Sequence, residues 1–194
     1  MLTRALRAAG QPIPVGLGRR GRRDRDQLVV NEIFVRLVAH ARSTGRGHLY
    51  RWRHALDLDT AAWLRAHGVH GARAQDYGLW IEDGATLSFV LHLDHDEPSL
   101  LARTPPPAPS KILAVYARAA SGVPVDAALV VTPTTEREQQ FHRELADAPV
   151  PLAVATATSE RLYGAPSPAD AIWSVVTAPA PLLPLIEVAR TRSR

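Results

Sequence analysis

Apolar positions along this chain change their spacing several times, and each change predicts an element. Over residues 27–42 they recur at helical intervals. Leu28, Phe34, Val35, Leu37 and Val38 supply the expected buried face, with Glu32, Arg36 and His40 looking outward. Residues 49–56 alternate as a strand does, which predicts Tyr50, Trp52 and His54 on one face and Arg51 and Arg53 on the other. Asp59 then caps a predicted short helix over 60–67, ended by Gly68.

The middle of the chain reads as a hairpin. Residues 76–81 and 87–94 are two apolar runs separated by Glu82-Asp83-Gly84, and an Asp-Gly pair accepts positive φ at little cost. A stiff proline loop, 103–109, leads to a predicted helix opening at Lys111. Residues 127–132 form a continuous apolar run, the pattern of a strand covered on both faces. Thr135 and Glu138 have capping-box spacing for a helix to about residue 146, and strands are expected at 152–156 and 171–176. The resulting order of helices and strands predicts an α/β fold, a mixed central β-sheet flanked by helices.

Composition narrows the class. At 194 residues, 46% hydrophobic and 22% charged, the chain has the make-up of a globular domain. No apolar run has membrane-spanning length and no signal peptide is evident, so a cytoplasmic protein without membrane partners is expected. The absence of cysteine excludes disulfides and thiolate metal sites.

Charge is placed unevenly. Residues 1–26 hold seven arginines against Asp24 and Asp26, or +5, whereas the remainder holds 16 basic and 17 acidic groups. This divides the chain into a basic flexible arm at 1–26, an α/β domain at 27–178 and a proline-rich basic tail at 179–194. Arg19, Arg20, Arg22 and Arg23 are the candidate DNA-binding residues, because clustered guanidinium groups contact phosphates; the other reading is a solvated tail. Gly16-Leu17-Gly18-Arg19-Arg20-Gly21 matches a dinucleotide-binding pattern by letter, but no strand precedes it and proline interrupts the approach. Lys111 is the single lysine among 23 basic residues. Trp52, Trp63, Trp80 and Trp173 each sit in an apolar segment and are expected in the core.

Asp76, Asp94 and Lys111 are the candidate catalytic residues. Two carboxylates at the open end of a hairpin and a lysine beyond are the groups a metal-dependent phosphodiesterase needs, and they are equally an ordinary hairpin followed by a helix. Asp76, His92 and Asp94 are the candidate ligands, and Mg²⁺ or Mn²⁺ is the cofactor they would hold. His92 would soften such a site toward a transition metal. His95 follows Asp94 directly and should point away from it.

Over roughly residues 27–160 the chain resembles the replication-relaxation family, found with plasmid and conjugative-element replication and mobilisation functions. The resemblance rests on residues 28–35 (LVVNEIFV), Trp52, residues 76–84 (DYGLWIEDG), 89–94 (FVLHLD), 111–116 (KILAVY) and 130–133 (VVTP). It implies a restriction-endonuclease-like, PD-(D/E)xK type domain without the family's N-terminal winged helix, with DNA and other replication or transfer proteins as partners. The chain departs from the family pattern at its acidic positions. Gln75-Asp76 replaces Pro-Asp, His92-Leu93-Asp94 replaces Glu-x-Asp, and His54 stands where a glutamate is common. The expectation is a DNA-associated accessory protein with a degenerate nuclease site. An active metal-dependent nicking enzyme and a non-catalytic protein-interaction scaffold are the alternatives, since a fold does not fix a function.

Overall fold

A computed structural model of the chain describes residues 19–53, 76–94, 125–146, 152–176 and 181–193. The chain divides into two units, Met1–Glu32 and Ile33–Arg194. The first described helix, α1, spans Arg19–Thr44 and so begins well before residue 27. Arginine is a strong helix former, and a run of it sustains a helix without an apolar face. The helix stops at Gly45, whose φ of 69° lets its N–H bond the Ala41 carbonyl at 3.0 Å.

The buried face of α1 also differs from expectation. Ile33, Phe34 and Leu37 are buried, whereas Leu28 is 54% and Val35 58% exposed. Residues seven apart share an arc, so 28 and 35 point together, away from the arc of 33, 34 and 37. Arg36, expected outward, reaches a neighbouring element.

Among the described residues six strands form one mixed sheet, in the order of the chain. They are β1 (His48–Arg53), β2 (Asp76–Glu82), β3 (Ala85–Leu93), β4 (Ala127–Thr132), β5 (Ala153–Thr158) and β6 (Ser174–Val175). The first three form an antiparallel meander, β4 and β5 continue parallel to β3, and β6 closes the sheet antiparallel. The hairpin between β2 and β3 is the predicted one. Asp83 and Gly84 have φ of 50° and 76°, the two positive values a two-residue type I′ turn requires.

The register of that hairpin pairs Glu82 with Ala85 and Asp76 with Leu91, which sorts side chains onto two faces. Gly78, Trp80, Phe89 and Leu91 belong to the first. There Phe34 of α1 stacks on Trp52 with centroids 4.7 Å apart and on Phe89 at 6.1 Å. On the second face Val90, Val130 and Val154 meet Phe141 and Leu145 of α2 (Thr135–Leu145). Strand β4, covered on both faces, is buried along its whole length, as its apolar run predicts.

Two expectations need amendment, and the tail gains detail. In β1 the register shifts between Leu49 and Arg51, so Tyr50 is an extra residue; it is 63% exposed while Trp52 stacks inward, and the two do not share a face. Only Ser174–Val175 is a strand in the 171–176 region, because Trp173 turns to pair with Leu183 and its indole N–H bonds the Pro168 carbonyl at 2.8 Å. The end of the chain also folds. A short helix, α4 (Leu185–Val188), packs against β2 and β3 with Leu185 and Val188 fully buried, and a 3-10 turn, Ala189–Ser193, follows.

Helix α3 (Ser159–Gly164) is held at its end by Arg36, which donates to the carbonyls of Leu162 at 2.8 Å and Ala165 at 2.5 Å. Of the four tryptophans, Trp80 and Trp173 are fully buried and Trp52 is half-buried. Trp63, His54, the 60–67 helix and the Lys111 helix lie outside the described residues. No described helix is long and apolar enough to cross a membrane.

Two glycines test this packing. A Cβ on Gly78 would run into the Phe89 ring, so Gly78→Ala should cost about 3 kcal/mol through overpacking. Gly84 has open space around it and only its φ of 76° to lose, so Gly84→Ala should cost about 1 kcal/mol. Urea denaturation of both variants measures the difference; equal losses would contradict the close approach of β2 to Phe89.

Candidate functional site

The carboxylates of the hairpin's open end occupy different environments. Asp94 follows β3, its N–H bonded to the Val131 carbonyl at 2.9 Å, which ties it to β4. Its two oxygens receive the Arg137 fork, Nε to Oδ2 at 2.6 Å and Nη2 to Oδ1 at 3.1 Å. The side chains are only 9% and 14% exposed, so this is a bidentate, largely desolvated pair. Arg137 stands in the first turn of α2, where the helix dipole disfavours a cation, and Asp94 supplies the compensating charge.

Asp76 and His92 are both buried. Asp76 opens β2 opposite Leu91, which assigns it to the first face of the sheet. His92, next along β3, falls on the second face, and Asp94 has the same parity as His92. The hairpin therefore brings the candidates to one edge but divides them between its two sides. Among the described residues no group of three or more His, Asp or Glu side chains could hold a metal ion. Asp76, His92 and Asp94 thus do not gather into a ligand set, and with both Asp94 oxygens on a guanidinium the donors do not fit Mg²⁺ or Mn²⁺. Lys111 and His95 lie outside the described residues. Arg19, Arg20, Arg22 and Arg23 occupy the first two turns of α1.

A second polar cluster was not foreseen. Thr134, not Thr135, caps α2, its hydroxyl accepting the Arg137 N–H at 3.2 Å. Glu138 is released from the expected capping box and turns into the sheet. It accepts the Thr156 hydroxyl at 2.5 Å and an Arg161 N–H. Thr156 also lies 2.8 Å from Nε2 of His142. A carboxylate only accepts, so Thr156 gives its one proton to Glu138 and takes a hydrogen bond from His142, which assigns the neutral imidazole as the Nε2–H tautomer.

Burial pushes the His142 pKa below its ordinary value of 6.5; Glu138 acts to raise it and Arg161 to lower it. The signal for this cluster was present in the sequence. Glu138 and His142 are four apart and share the helical face of Phe141 and Leu145, so an otherwise apolar face needed polar partners from β5. Thr156 itself is fully buried, which makes the cluster a structural lock rather than an exposed nucleophile.

No protein-family model, curated protein or solved structure matches this chain.

Two outcomes are expected. Arg137→Ala leaves Asp94 a buried, uncompensated carboxylate and should lower stability by about 3 kcal/mol, read from urea midpoints. For His142, the unfolded chain takes up its proton at higher pH than the folded one. Stability present above pH 6.5 should therefore decline as pH falls through 6.5 and on past the folded pKa. Denaturation at pH 7.5, 6.5 and 5.5 should show a steeper acid-side loss in the natural protein than in His142→Gln; parallel curves would remove His142 as the cause.

Proposed function

We propose that this protein is a DNA-associated accessory factor of plasmid or conjugative-element replication or mobilisation, built on a restriction-endonuclease-like sheet that no longer cleaves. The observation that carries this reading is the Arg137 clamp on Asp94. A guanidinium with two hydrogen bonds occupies the carboxylate that a nuclease would need for its metal, and among the described residues Asp76 and His92 supply no substitute set. The sequence resemblance, with its acidic departures, points the same way. The meander β1-β2-β3 followed by parallel β4 is compatible with the endonuclease-like reading.

The association with DNA rests on the start of α1. Arg19, Arg20, Arg22 and Arg23 lie within two helical turns, and no acidic residue stands in the first turn. Positive charge there opposes the helix dipole, a penalty that the helix propensity of arginine has to outweigh. A polyanion removes the penalty and gains from counterion release.

Duplex DNA binding measured from about 50 to 200 mM salt should weaken steeply as salt rises. Replacing the four arginines with alanine should lower affinity for unrelated sequences about equally, because phosphate contacts carry no base information. Supercoiled plasmid with Mg²⁺ or Mn²⁺ should stay uncut. Mg²⁺-dependent nicking that Asp94→Ala abolishes would overturn the non-cleaving reading, and absent DNA binding would overturn the association.

A further inference from the structure

Among the described residues the strand β1 lies at one edge of the sheet and presents an arrangement that neither the core nor the Asp94 pair uses. Leu49 and Trp52 pair with Trp80 and Gly78 and so join the first, buried face. His48 and Arg51 pair with Ile81 and Leu79, residues of β2 that are only half-buried. The register shift leaves Tyr50 as the extra residue, and it emerges 63% exposed with its ring 6.3 Å from that of His48. The two rings meet edge to face at 68°, so they do not close on one another as a stack.

The charge within this stretch of sequence has one sign. Residues 33–53 contain five arginines and two histidines and no carboxylate, although the chain beyond residue 26 carries a slight acidic excess overall. Arg36 is consumed by the end of α3, and Arg46 lies on Glu82 and Asp83 at 3.2 Å each. Arg51 is exposed and has no ion-pair partner among the described residues. An exposed aromatic next in sequence to an exposed guanidinium suits a ligand that alternates flat rings with negative charge. A second strand is a poorer occupant, because a bulge and flanking arginines on an edge strand oppose edge-to-edge pairing.

We propose that the solvent side of β1 binds single-stranded DNA, with Tyr50 as a stacking platform for a base and Arg51 on an adjoining phosphate. This rests on the DNA-associated reading and narrows it to a strand with unpaired bases. Duplex DNA keeps its bases stacked on one another and offers Tyr50 nothing to stack on. The surface thus reads strandedness, while the arginines of α1 bind any backbone.

The test is fluorescence anisotropy of the full chain with a labelled oligothymidine of about twelve nucleotides, within the usual site size, and with a duplex of the same length. Tyr50→Ala should weaken single-strand binding about tenfold, and Tyr50→Phe should stay within about twofold of the natural protein, since stacking needs the ring and not the hydroxyl. Both variants should bind the duplex as the natural protein does. Arg51→Ala should reduce the slope of log affinity against log salt by about 0.7 for the single strand. A Tyr50→Ala variant that binds the oligothymidine unchanged overturns the proposal, and if duplex binding persists the DNA-associated reading stands. Failure of the natural protein to bind either DNA sinks both. Sedimentation supplies the remaining check: a dimer that Tyr50→Ala dissolves would assign this surface to a second copy and overturn the proposal.

Discussion

Everything the sheet does with its side chains depends on the two-residue turn at Asp83–Gly84. A type I′ turn requires positive φ at both residues, and the Asp-Gly pair supplies this while matching the right-handed twist of the strands. It leaves no freedom in the register: Glu82 faces Ala85, and each pair outward follows. Trp80, Phe89 and Leu91 are thereby committed to the side where Phe34 stacks, and Val90 to the side that α2 covers. Gly78 is the place where the commitment is tightest, because the Phe89 ring occupies the volume a side chain would need. A slip of one residue would turn the aromatic floor outward.

Local causes separate what was legible in the sequence from what was misjudged. The hairpin, the buried β4 and the existence of the helix after Thr134 were readable because each has a local cause, turn chemistry, an unbroken apolar run and helical periodicity, although the cap is Thr134 and not Thr135. The grouping of Asp76 with His92 and Asp94 followed from their common edge, but in this hairpin paired positions have opposite parity, so three even-numbered residues cannot all face one way. Alternation also failed at Tyr50, where a bulge, invisible to a period-two reading, put Tyr50 outward and Trp52 inward. The helical face of α1 was misjudged because Leu28 and Val35 are apolar in type but lie on the wrong arc. Arg137 was missed because a salt bridge between residues 94 and 137 leaves no local trace in either segment.

The polar groups beneath α2 show how one helix serves two purposes. Phe141 and Leu145 seal the core, while Glu138 and His142 on the same side hold Thr156 and Arg161. A purely apolar interface would tolerate sliding of the helix along the sheet. Directional bonds to a single threonine and a single guanidinium select one position. Arg137, the residue before Glu138, ties the start of the same helix to the end of β3. Two consecutive residues thus anchor α2 to β3 and to β5, across the central strand between them.

The grip of Arg36 on Leu162 and Ala165 has a consequence for biosynthesis. A chain made from its N-terminus can form the stack of Phe34 on Trp52 early, yet Arg36 finds its acceptors only after about 130 further residues have been added. The hairpin must wait longer still for α4, whose Leu185 and Val188 come later than any strand of the sheet. During translation, therefore, the aromatic floor of β2 and β3 is made long before its last cover. From completion of the hairpin at Leu93 until Leu185 and Val188 emerge, the nascent chain carries an apolar surface that lacks its last cover.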